Sequence, residues 1–305
     1  MRKTILNILL FILLSLVFFS ITYNPNNLFS NIINALTIWV YKVIPPIFTF
    51  YILTSALISF KIIDKFFIIF KPLKFFFRFD TNEAFNLFIL SVFLGNPSTS
   101  NFIIDNLNIN KISRKDAEII LKCGSFISPL FIISFLSFNL KYAFVMCFVN
   151  ILSNFILCFI LTKKNKPLQS QKNVSKDVVS YNFLDSIYKA NNILLLICGT
   201  MIIATIIRFS FLTLFNILNI NNIFLNILIS LTEISTGLNY ILNSNIPNLL
   251  SLLIMSFMLG FGGGAIHLQV YSIIYGKLPY LDFLTSRLLQ GFISTFLFLV
   301  IYNFI

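Results

Sequence analysis

Apolar and polar positions in this chain alternate on a scale longer than any soluble helix or strand. Residues 4–23, 45–60, 83–107, 123–138, 142–161, 191–207, 223–242, 247–275 and 283–304 form apolar runs between short polar segments. A helix crosses a bilayer with about 20 such residues, so most of the runs predict membrane helices. The first run follows Arg2 and Lys3 and leaves through Tyr23-Asn24-Pro25-Asn26, without a small-residue cleavage site. Residues 1–23 are therefore expected to be a retained N-terminal transmembrane helix and not a secretion signal. Residues 28–43, with Trp39, Tyr41 and Lys42, predict a segment near the membrane interface, and Pro45-Pro46 are expected to start a new helix. Lys61, Lys65, Lys71, Lys74 and Arg78 then predict a basic, Phe-rich surface helix on the cytoplasmic side.

Polar interruptions divide four of the later runs. Residues 83–107 are broken by Gly95-Asn96-Pro97-Ser98-Thr99-Ser100 and lead into Lys111, Arg114, Lys115 and Lys122. The cytoplasmic bias of Lys and Arg predicts that this run turns back at its break as a re-entrant hairpin. Non-helical backbone at membrane depth is tolerated only where protein buries it or water lines it, so a cavity is expected. The other breaks are Ser125-Phe126-Ile127-Ser128-Pro129, Thr232-Glu233-Ile234-Ser235-Thr236-Gly237 and Gly262-Gly263-Gly264.

Residues 162–182, with Lys163, Lys164, Lys166, Lys172 and Lys176 against the single acid Asp177, predict a cytoplasmic basic linker. It separates a first repeat, residues 24–161, from a second, residues 183–305. Each half reads as a crossing, a surface helix, a hairpin, a broken helix and a crossing. The surface segment at 208–220 carries only Arg208, where its counterpart carries five cations, so the halves are expected to be inverted. The predicted fold is an all-α polytopic membrane protein, an inverted repeat with two re-entrant hairpins, broken helices and seven crossings, its N-terminus inside. Inverted repeats with discontinuous helices are the architecture of many secondary transporters, with solute held near the midplane.

Composition agrees: 58% of the 305 residues are hydrophobic and 10% charged, far from the roughly one quarter charged of soluble domains. The net charge of +12 lies mostly in the short polar segments and reports topology, so no nucleic-acid partner is expected. The bilayer is the expected surrounding, and a homo-oligomer is left open. Cys123, Cys147, Cys158 and Cys198 show no C-x-x-C spacing, which argues against a disulfide framework or a zinc site. H-E-x-x-H, G-x-S-x-G and P-loop patterns are all missing from the sequence, so neither an enzyme nor a resident cofactor or metal is expected.

The candidate solute contacts are the polar residues of the breaks: Asn96, Ser98, Thr99, Ser100, Ser125, Ser128, Glu233, Ser235, Thr236, His267 and Gln269, with Thr232 beside them. Half-helix N-termini leave free N–H groups that suit an anionic group. Each signal has a plainer counterpart. Gly260 and Gly262 to Gly264 also suit close helix packing, and the first break also reads as a proline kink. Glu233, the only acid in the apolar part of the second half, is either a coupling-proton or sodium-ion group or a helix-end carboxylate. His267, the sole histidine, is either a pocket group or a hydrogen-bonded structural one.

Taken together, these segments resemble the nucleoside-transporter Gate-domain proteins, and within them the sporulation integral membrane protein branch. The resemblance runs over most of the chain. It is carried by Phe261-Gly262-Gly263-Gly264-Ala265-Ile266-His267-Leu268-Gln269-Val270, by Leu231-Thr232-Glu233-Ile234-Ser235-Thr236-Gly237, and by the Gly95-x-Pro97 break with residues 113–121 and Ser128-Pro129-Leu130-Phe131. It implies a fold like concentrative nucleoside transporters and, for the sporulation branch, movement of dipicolinic acid across the outer forespore membrane. This chain departs from the pattern at two positions: Asn101 stands where a lysine usually closes the first break, and Ser128 where an asparagine commonly precedes the proline. Both positions bear on the solute carried. The function expected is secondary transport of a small polar or anionic solute, nucleoside-like or dipicolinate-like. The alternative is a non-transporting membrane scaffold, or a sporulation-related structural protein, that recruits partners through its basic loops.

Overall fold

The structure, a computed structural model, describes residues 2–59, 67–137, 139–163, 183–220 and 222–304. Among these residues the fold is all-helical, without strands. Five stretches are helical, long and apolar enough to cross a membrane: Pro25–Ile58, Leu140–Thr162, Leu184–Ile217, Asn248–Ile274 and Tyr280–Tyr302. Large apolar side chains such as Phe11, Phe18, Phe292 and Phe296 point outward from the bundle, as a lipid-facing surface requires and a water-facing one avoids.

Helix α1 (Arg2–Tyr23) ends at Asn24, whose side chain caps α2 (Pro25–Ile38) by accepting from Asn27 N–H. The prolines at 45 and 46 do not open a separate helix. The chain runs from α2 through a π-turn (Trp39–Val43) directly into α3 (Ile44–Ser59). A proline inside a helix removes a donor and crowds the carbonyl of the preceding turn; the wider π-turn, closed by Ile44 N–H to Trp39 O, absorbs both effects. Trp39 is turned inward and donates from its indole to Leu194 O at 3.2 Å, so it is a cross-link within the bundle and not an interface anchor.

The basic surface helix expected after residue 60 is not what the described part shows. Lys71–Phe75 form a 3₁₀ turn, and Phe77 and Phe79 are buried against Phe88, which also meets Phe126 and Phe155. Burial of these aromatic rings pulls the segment onto the bundle. Lys61 and Lys65 lie outside the described residues, as does residues 164–182 of the expected linker.

Helices α4 (Asn82–Leu94) and α5 (Ser98–Asn108) pack against each other across the first break. Their outer ends meet at one end of the molecule. Asp116 of α6 (Arg114–Cys123) accepts from Asp80 N–H and Thr81 N–H just before α4, and Asp105 near the end of α5 pairs with Lys189 at 2.6 Å. The stretch 123–138 is not one helix: an extended segment links α6 to the short α7 (Pro129–Phe135), and Phe138 lies outside the described residues. Helix α8 (Leu140–Thr162) follows.

Helix α9 (Phe183–Ile217) is a single rod of 35 residues. Residues 208–217 therefore continue the crossing and do not form a separate surface segment. Residues 208–217 contain no glycine or proline to stop the helix, and α1, α2 and α3 all pack along α9; Ser20 and Ser210 share a 2.6 Å hydrogen bond. Helices α10 (Ile223–Ser230) and α11 (Ile234–Leu242) pack on each other, then α12 (Asn248–Phe261) and α13 (Gly263–Ile274) form the last broken helix, and α14 (Tyr280–Tyr302) closes the bundle. The α12–α14 contact is tight because a side chain at Gly260 would meet Gly291 Cα at 2.7 Å.

Candidate functional site

The four breaks adopt related arrangements. Helix α4 stops at Gly95, whose φ of +65° lies in the left-handed region, and the chain turns through a cis Asn96–Pro97 peptide into α5. Asn96 N–H donates to Phe126 O at 3.1 Å, which ties the first break to the extended second one. In the other half, Gly262 at φ +91° stops α12, and the N-terminal amides of α13 are used by the third break: Gly264 N–H donates to Leu231 O and Ala265 N–H to Thr232 O, both at 2.8 Å. Each pair of breaks thus satisfies backbone groups that apolar surroundings would otherwise leave unpaired.

One small cavity lies where the breaks converge. Asn96, Ser128, Glu233, Ser235 and Gln269 line it, together with apolar side chains that include Val43 and Ile266. Its volume is about 40 Å³, room for ordered water and far below the roughly 300–1,000 Å³ of ligand pockets. Two of its polar groups, Asn96 Nδ2 and Ser128 Oγ, are buried without a hydrogen-bond partner, a state that costs about 1–3 kcal/mol per group. Gln269 is already committed, its amide donating to Thr200 Oγ1 at 2.6 Å.

Glu233 caps α11: its two carboxylate oxygens accept from Ser235 N–H at 2.9 Å and Thr236 N–H at 2.6 Å. This helix N-terminus therefore carries its own anion. Across the cavity, α5 starts at Ser98 with Pro97 before it and no side-chain cap.

The remaining candidates lie off this cavity. Thr99 bonds back to Gly95 O, Ser100 to Asn96 Oδ1, Ser125 to Leu121 O and Thr232 to Ile229 O. Ser98 is buried with its hydroxyl unpartnered. Thr236 faces a different cavity. His267 sits among Phe261, Tyr280 and Phe283. Its Nε2 lies 3.2 Å from Phe261 O, which only accepts, so Nε2 carries the proton and Nδ1 accepts from the Tyr280 hydroxyl at 3.1 Å.

Two features went unread in the sequence. Arg287, the lone charge of the last apolar run, is buried where the C-terminal ends of α6 and α12 converge. Its depth in that run is the signal that marks it. The second feature is a polar cavity of about 280 Å³ between α2, α9 and α11, lined by Asn31, Asn34, Thr205, Arg208, Thr236 and Asn239 among others. The asparagines recur at helical spacing, at positions 27, 31 and 34 of α2 and 239 and 243 of α11, a periodicity that sequence alone displays. Among the described residues, no cluster of His, Cys, Asp and Glu is grouped to hold a metal ion. Compared with family models, curated proteins and solved structures, the chain matches none.

Proposed function

We propose that this membrane protein is a secondary transporter of a small polar or anionic solute, nucleoside-like or dipicolinate-like, in a bacterial cell membrane, the forespore membrane if its host sporulates. The observation that carries the reading is the meeting of Asn96, Ser128, Glu233, Ser235 and Gln269, from all four breaks, around one cavity with two unpartnered polar groups. A merely structural kink satisfies its polar groups locally; these two point into shared space instead. In this reading α4–α5 and α10–α11 are re-entrant hairpins of an inverted repeat. The return of α4–α5 to the end where Lys115 and Lys189 form ion pairs supports a cytoplasmic base for the first hairpin. The resemblance to the nucleoside-transporter Gate-domain proteins points the same way.

The 40 Å³ cavity then corresponds to a closed form, and solute binding requires the hairpins to separate. Ser128 and Asn96 offer hydroxyl and amide groups for orientation, and the positive dipole end of α5, which has no side-chain cap, starts beside Asn96. Glu233 holds α11 in register and presents a carboxylate at the edge of the same space, the position of choice for a coupling proton or sodium ion.

The scaffold reading draws on the same small volume, since a filled interior needs no solute. Uptake into proteoliposomes separates the two. Labelled nucleosides and aromatic dicarboxylates are supplied to wild type and to Asn96→Ala and Ser128→Ala. Transport by wild type that falls in both variants is the expected result; no uptake of any solute, with cysteines at positions 95–101 closed to small aqueous thiol reagents, overturns the proposal in favour of a scaffold.

A further inference from the structure

We infer that the cavity around Arg208 is a second binding site, separate from the one between the breaks, for a small oxyanion bearing a carboxylate or phosphate group. Arg208 and Glu233 are the only formally charged residues between positions 190 and 276. They do not pair directly. The only hydrogen bond of Arg208 among the described residues runs from Nη1 to Thr236 O at 3.2 Å, and its guanidinium lies 5.2 Å from the centre of the Tyr240 ring. Nε is buried without a partner. A guanidinium presents five donors in a fixed fork matched to the paired oxygens of a carboxylate or phosphate, and here one donor is used.

The neighbours are unpartnered as well. Thr205, one turn before Arg208 on the same face of α9, is 5% exposed and lines the cavity, and its hydroxyl has no hydrogen-bond partner. Thr236 Oγ1, from α11, is in the same state. Buried hydroxyls left this way cost about 1–3 kcal/mol each, and two of them beside a half-used guanidinium describe a site completed by an acceptor-rich ligand. Asn31, Asn34, Asn239 and Asn243 surround it with amides, and no carboxylate lines it; Glu233 acts on Arg208 only through space, from behind the start of α11. The volume, about 280 Å³, admits a small carboxylate or phosphate, unlike the cavity between the breaks. Phe209 borders both this cavity and another of about 180 Å³, lined by Asn24, Asn27 and Asn216 where α1 passes into α2. That end is far from the ion pair of Lys189, because Asn216 stands about 40 Å further along α9 at 1.5 Å per residue.

This site stands whether or not the protein transports. Its test is binding of benzoate and of inorganic phosphate to the full-length protein in nanodiscs, read as saturable thermal stabilisation in chloride-free buffer. Nanodiscs of neutral lipid and of neutral lipid mixed with phosphatidylglycerol are compared. Stabilisation by at least one of the two soluble anions in neutral nanodiscs is expected, weakened about tenfold or more in Arg208→Gln and measurably in Thr205→Val. Thr205→Val keeps side-chain volume and so covers the case in which Arg208→Gln fails to fold. Stabilisation that responds only to phosphatidylglycerol, or anion binding equal in wild type and both α9 variants, overturns the inference.

Discussion

The guanidinium of Arg287 donates from Nη1 to the carbonyl of Ser125 at 2.7 Å, a link from the last helix to the second break. The same group reaches Lys122 O at 2.6 Å, Asn154 Oδ1 at 3.1 Å and Gly260 O at 3.5 Å, and also bonds Gln290. No carboxylate forms an ion pair with it among the described residues. Its charge is met by carbonyls in the last turns of α6 and α12, the negative ends of two helix dipoles. Arg287→Met should therefore destabilise the protein by about 3–5 kcal/mol, since it strands several buried acceptors at once. Arg287→Lys should recover only part of this, because a single ammonium lacks the fork that spans them. Denaturant unfolding in micelles measures both, and a Met variant as stable as wild type would refute the role.

Glycines in different surroundings should respond in opposite directions to the same substitution. A Cβ at Gly260 meets Gly291 Cα at 2.7 Å, and one at Gly237 meets Ser230 O at 2.2 Å, whereas one at Gly199 meets nothing within 4 Å. Gly260→Ala and Gly237→Ala are expected to cost about 1–3 kcal/mol through overpacking. Gly199→Ala, inside α9, should add about 0.5–1 kcal/mol. Matching melting-temperature shifts of one sign across all three would contradict the packing described here.

Glu233 offers a way to divide architecture from coupling. Removing its cap in Glu233→Ala should lower stability by about 1–2 kcal/mol, while Glu233→Gln keeps an acceptor for one amide and should lose less. If the carboxylate also carries a coupling ion, Gln abolishes concentrative uptake at nearly intact stability. Uptake by Glu233→Gln equal to wild type would leave the residue as a cap alone.

The loop end of the bundle should show a pH dependence of known sign. Burial, with help from the nearby Asp80 carboxylate, raises the Asp116 carboxyl above its ordinary 3.8, against hydrogen bonds from Asp80 and Thr81 that lower it. The folded state then keeps this proton to higher pH than the unfolded chain. Stability is expected to fall as pH rises from 3.8 through the folded value and to level off above it. Asp116→Asn removes that slope; unfolding curves taken between pH 4 and 7 check it, and parallel curves for the two proteins would reject the assignment.

Helix interruptions were legible because Gly95-Asn96-Pro97 and Gly262-Gly263-Gly264 change backbone chemistry in one dimension: a left-handed φ or a missing donor stops a helix wherever the chain lies. What those letters do not encode is direction. His267 follows a break as closely as Gln269 does, yet the helical turn between them sends one ring toward Tyr280 and the other amide toward Thr200. Pro45 and Pro46 misled for the complementary reason, since a π-turn one turn earlier accommodates them, and its Trp39 is tied to α9 through Leu194, far away in sequence. Arg208 looked like a lone surface charge because its neighbours in space, on α2 and α11, are far away in sequence.

The ties from Asn96 to Phe126 and from Gly264 to Leu231 button the first break to the second and the third to the fourth. Neither member of a pair can shift alone without tearing amide from carbonyl in a medium that offers no replacement. Under the proposed transport reading the two halves would therefore part as units, with Asn96 and Ser128 on one side and Glu233 and Gln269 on the other. Arg287, gripping Ser125 and Gly260 together, spans both halves and is the one side chain that such a parting would have to carry with it or release.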